Sequence, residues 1–148
     1  MKTGMRNAML AAGAVLAAVV IGGCQTGGMM GMSGSQQVAL SGANEVPPVT
    51  TSATGTATVT IKDDRSVTVA VTTSGLTPTA SHIHEGAAGT NGPVIVPFTK
   101  TGDNTFASRP DAKLTEAQYA AYKAGNLYVN VHTAANPNGE IRGQIKAN

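Results

Sequence analysis

"TATVTIKDDRSVTVAVTT", residues 56–73, reads as two strands and the turn between them. Ala57, Val59 and Ile61 alternate with Thr56, Thr58 and Thr60, and Val67, Val69 and Val71 resume the alternation beyond the turn residues Asp63 and Asp64. An apolar period of two marks a strand buried on one face, and turn chemistry between two such runs marks a β-hairpin. The same pattern recurs in "QVALSG" (37–42), "ASHIH" (80–84), "PVIVPF" (93–98), "LYVNVH" (127–132) and "EIRGQI" (140–145). "NEVPPV" (44–49) must run extended outside any ladder, because Pro47 and Pro48 have no N–H to donate. One stretch is helical, "LTEAQYAAYKAGN" (114–126). There Thr115 and Gln118 form a capping box, and Gly125 with Asn126 closes the helix. Seven short strands and one helix near 115–124 predict an all-β domain, an antiparallel β-sandwich.

Working outward to the amino terminus, Lys2 and Arg6 precede an apolar run, Ala8 to Ile21, that is too short and too early for an ordinary spanning helix. It ends in Ile21, Gly22, Gly23 and Cys24. This resembles the lipobox of bacterial lipoproteins. The resemblance implies a signal peptide over 1–23, a lipidated Cys24, and anchoring to the cell envelope, since each buried methylene contributes about 0.8 kcal/mol. Gln25 in place of aspartate implies the outer membrane in a diderm cell. Residues 24–37 are rich in Gly, Ser and Met and read as a flexible tether. Met29, Met30 and Met32 offer soft thioethers for Cu(I), but a plain tether beside a membrane surface accounts for them better. The domain then occupies 38–148.

Composition narrows the function. Ten basic residues face eight acidic ones, and without Lys2 and Arg6 the counts balance, so no basic patch for a nucleic-acid partner remains. Cys24 is the lone cysteine, so disulfides, zinc–thiolate sites and cysteine nucleophiles are excluded from the domain. No phosphate-loop, HExxH or GxSxG motif occurs. Asp103 and Asn104 in "TGDNT" provide a single acid, too few for a calcium site, and Gly86, Gly89 and Gly92 precede no helix that would make a phosphate loop. Glu45 carries no chemistry that its sequence neighbours explain.

The three histidines offer more. In a strand, His82 and His84 share a face with β-carbons roughly 6.6 Å apart, and two imidazoles at that spacing reach one ion at about 2.0–2.1 Å each. His132 falls on the outward face of its own run, with Tyr128 and Asn130, while Glu140, Arg142 and Gln144 face outward in the last strand. If strand 80–84 neighbours strand 127–132, the three imidazoles converge, and copper or zinc is the metal they suit. The alternative is a metal-free network in which the histidines bond loop carbonyls and carboxylates. In that network Glu85 and Glu140 are the expected partners and Arg142 pairs with either.

The succession "ALSGANEVPPV", "ATGTATVTI", "SGLTPTASHIHEGAAGTNGPVIVPF" and "LTEAQYAAYKAGNLYVNVHTAANPNGEIRGQI" resembles the CHRD domain family, named from chordin, over residues 38–146. The resemblance implies an extracytoplasmic β-sandwich and little about activity; the expectation is a non-catalytic binding or structural module with an unassigned protein or glycan ligand. Chordin's growth-factor ligands are not carried over. His82-Ile83-His84 and "GEIRG" bear a second, looser likeness to the Cu,Zn superoxide dismutases, whose fold is a Greek-key sandwich like the immunoglobulin type. Three histidines cannot match that family's four copper ligands, and its bridging histidine and disulfide have no counterpart. What this likeness implies is a copper site without zinc, redox-active as an alternative, with Arg142 as an anion guide.

Overall fold

The computed structural model describes residues 34–148. The expected signal peptide, Cys24 and the methionine cluster at 29–32 lie outside the described residues. Eight strands run in the order β1 (Gln36–Ser41), β2 (Thr54–Ile61), β3 (Val67–Ser74), β4 (Pro78–Glu85), β5 (Val94–Gly102), β6 (Thr105–Ser108), β7 (Leu127–Thr133) and β8 (Ile141–Ile145). A 3-10 turn at Gly42–Asn44 follows β1, and the helix α1 (Glu116–Lys123) lies between β6 and β7. Among the described residues no helix is long and apolar enough to cross a membrane.

The strands form one closed antiparallel barrel in the order β1-β2-β3-β6-β5-β4-β7-β8. The expected two-sheet sandwich is thus corrected to a single sheet without edges. β8 returns to β1 through the pairing of Ser41 with Arg142, so every strand has two neighbours. Alternating burial is common to a sandwich and a barrel, and the sequence pattern alone could not separate them. β4, β5 and β6 are consecutive, and β7 returns beside β4, which is a Greek-key connection.

The β2–β3 hairpin forms as its alternation requires. Ala57, Val59, Ile61, Val67, Val69 and Val71 are all buried in the barrel interior. They meet Ile83, Val129, Val131, Ile141 and Ile145 there. β6 has no counterpart among the sequence-derived strands. Its four residues, "TFAS", are too few to show a period, and the "TGDNT" stretch before it is the β5–β6 hairpin turn, with Gly102 paired to Thr105. Asp103 and Asn104 therefore form an ordinary turn, and the Asn104 carbonyl accepts the Thr73 N–H. The capping box is present: Thr115 Oγ1 accepts from the Gln118 N–H, and Gln118 Oε1 accepts from the Thr115 N–H. The turn at Gly125 and Asn126 closes the helix, their N–H groups bonding the Tyr122 and Ala121 carbonyls.

Candidate metal centre

β4, β7 and β8 are consecutive neighbours, so the adjacency that the histidine argument requires is met. Their registers set outward residues in rows. Ala80 faces His132, His82 faces Asn130 and then Arg142, and His84 faces Tyr128 and then Gln144. A β-bulge between Ile83 and His84, where β5 carries one extra residue, locally twists the ladder beside His84.

An outward face on a small barrel ordinarily meets water, and this one does not. Tyr128, Asn130 and Arg142 are each 2 % exposed or less, and His84 is buried as well. Two loops cover them. From residues 86–93, the Gly92 carbonyl meets His84 Nδ1 at 2.9 Å and the Gly92 N–H donates to the Tyr128 hydroxyl at 3.1 Å. Thr90 and Asn91 accept from the Arg142 guanidinium at 2.9 and 2.7 Å. Residue 92 must be glycine, because a Cβ there would strike the Glu85 carbonyl oxygen. From the other loop, Glu45 Oε2 stands 3.5 Å from Arg142 Nε, with both side chains buried. Asn91 ties the loops together by donating to the Val46 carbonyl at 2.9 Å.

Under this cover the rings stack. His84 lies parallel to Tyr128, with centroids 4.9 Å apart and planes 7° apart, and the Arg142 guanidinium sits 3.6 Å above the Tyr128 ring. His82 Nδ1 is 3.1 Å from His132 Nε2, and His132 Nδ1 is 2.9 Å from the Pro137 carbonyl. The ligand atoms of the three histidines all lie within 4.8 Å of one another.

Hydrogen bonding fixes the tautomers. A carbonyl only accepts, so His84 and His132 carry their protons on Nδ1 and present Nε2 lone pairs. A backbone carbonyl orienting the far nitrogen of an imidazole is the support metal-ligating histidines ordinarily have. His84 Nε2 is buried and has no partner. Burial, followed by the neighbouring His132 and His84, pushes the His82 imidazole down to about 4. Burial also lowers His84. Both rings are therefore neutral near pH 7, the form in which an imidazole binds metal. Since His132 Nε2 accepts, His82 Nδ1 donates to it across 3.1 Å, and at an ion that replaced this proton, about 2.05 Å from each nitrogen, the two would subtend about 100°. The set as a whole must draw in by roughly 1 Å, since two such donors on one ion stand at most about 4.1 Å apart. Rotation of the partly exposed His82 and His132 rings would supply that.

The other site residues fall differently from expectation. Arg142 pairs with Glu45, not with Glu85 or Glu140. The Glu140 carboxylate is taken by Thr51, Thr133 and Asn136, and the Thr133 hydroxyl, first among them, holds it below the usual carboxylate range. Among the described residues Glu85 has no side-chain bond to a histidine. Glu45 was missed because its partner is 97 positions away and only the loop's fold brings the two together. Burial raises its carboxyl, against the opposing pull of Arg142.

The three histidines thus stand on the outward, loop-roofed face of a closed Greek-key barrel. The CHRD domain family model matches residues 36–145, and the chain belongs to that family. The family is one of non-enzymatic modules, and the chain is a module of that kind. No curated protein and no solved structure matches the chain.

Proposed function

We propose that the chain is a non-catalytic, lipid-anchored envelope module that binds a transition metal ion through His82, His84 and His132. The observation that carries this reading is the convergence of three imidazoles on one covered face, with two of them held by backbone carbonyls so that their Nε2 lone pairs point away from the backbone. An all-imidazole set suits copper and zinc, and copper(II) leads by intrinsic affinity. Anchoring is supported by the Ile21-Gly22-Gly23-Cys24 sequence and its preceding apolar run.

Calorimetric titration of the purified protein with Cu(II) and Zn(II) tests the site. One equivalent should bind, and binding should vanish in the His82→Ala/His84→Ala variant. No binding, or binding indifferent to that substitution, would leave the histidines as loop supports, with Gly92 and Pro137 as their carbonyl partners. Anchoring has its own test. Cys24→Ala should move the protein out of the membrane fraction, and a variant that stays there refutes lipidation.

A further inference from the structure

Four buried side-chain atoms find no hydrogen-bond partner among the described residues: Glu45 Oε1, His84 Nε2, Asn130 Oδ1 and Arg142 Nε. All four belong to the roofed face. Buried polar atoms are nearly always paired, so a cluster of exceptions marks a place where an ordered water or a ligand supplies the missing partner.

Asn130 is at the centre of this face. It stands opposite His82 on one side and Arg142 on the other, 1 % exposed, with its carboxamide against the His84 ring. The amide nitrogen is turned toward Gly139. Asn130 Nδ2 and Glu45 Oε1 crowd one point beside Gly139, where an added Cβ would lie 2.8 and 2.6 Å from them. That leaves Oδ1 on the histidine side. His84 Nε2 holds a lone pair because its Nδ1 proton is committed to Gly92, and Asn130 Oδ1 only accepts. Two acceptors thus border the same space with no proton between them, and a cation placed there relieves both.

We propose that Asn130 Oδ1 is a fourth metal donor, completing an N3O set with His82, His84 and His132. This rests on the metal-binding reading above.

The test compares Cu(II) affinity and the Co(II) visible spectrum of the wild type, Asn130→Leu and Asn130→Asp. Asn130→Leu keeps the volume and removes the oxygen. It should weaken Cu(II) by at least about 10-fold, the lower end of what losing even an outer-shell partner costs, and should change the Co(II) bands. Asn130→Asp restores an oxygen donor and should bind at least as tightly as the wild type. If Asn130→Leu binds with wild-type affinity and spectrum, Asn130 is not a donor, while the three-histidine reading survives. If the wild type binds nothing, or its binding ignores His82→Ala/His84→Ala, both readings fall. Should Asn130→Leu fail to fold, the wild-type 1H–15N spectrum decides the matter. The Asn130 side-chain amide pair should move with Zn(II) and saturate at one equivalent, and a pair that stays put overturns the proposal.

Discussion

Glu45→Ala removes one partner of a buried ion pair and leaves the other in place. Arg142 is 2 % exposed, so water cannot replace the lost carboxylate without opening the loops. Breaking such a pair costs about 3–5 kcal/mol. The guanidinium keeps its bonds to Thr90 and Asn91 and its place 3.6 Å over Tyr128, which puts the expected loss at the lower end, about 3 kcal/mol. For a domain of this size that is a fall in Tm of about 12 °C, at about 4 °C per kcal/mol. Urea denaturation followed by circular dichroism measures it. The double variant Glu45→Ala/Arg142→Met should be more stable than Glu45→Ala alone, since no unpaired charge remains buried. A loss under about 1 kcal/mol, the value of an exposed pair, would refute the argument that the loops seal this face.

Two further predictions concern the same surroundings. Glu140 titrates below its ordinary 4.5 because Thr133, Thr51 and Asn136 bond the charged form. Its contribution is therefore full above about pH 4.5 and is lost as pH falls through the depressed folded value. Glu140→Gln should be about 2 kcal/mol less stable than the wild type at pH 7. The gap should narrow in denaturation curves taken at successively lower pH below 4.5, and a constant gap would mean that the carboxylate's charge is irrelevant. Gly139 has φ of 126° and no room for a methyl beside Glu45 and Asn130. Gly139→Ala should then cost more than about 1 kcal/mol, and a melting temperature within 2 °C of the wild type, by the conversion of about 4 °C per kcal/mol, would show that the loop gives way freely.

Much of the domain is legible in the linear pattern because the signals are local. Alternation in 56–73 depends only on which side of a strand each residue faces, and it specified the β2–β3 hairpin and its buried valines. The capping box at Thr115 and Gln118 is local in the same way, being a contact over three residues. Period two also put His82, His84, Tyr128, Asn130, His132 and Arg142 on outward faces, which the registers of β4, β7 and β8 bear out. The four-residue β6 lay below the length at which a period can be read.

Closure and cover are not local. The barrel closes through a pairing of Ser41 with Arg142, about a hundred residues apart, and nothing in either strand's alternation says whether the sheet ends or returns on itself. Periodicity says which way a side chain points from the sheet but not what lies above it. "NEVPPV" and "EGAAGTNGP" are without period in sequence, yet in the fold they cover the outward face and turn a solvent-side row into a buried one. Burial by those two loops creates the neutral imidazoles, the Glu45–Arg142 pair and the unpartnered Asn130 oxygen. Sequence alone supplies the donors of the candidate centre. Long-range loop packing strips away their water and gives them tautomer and partner.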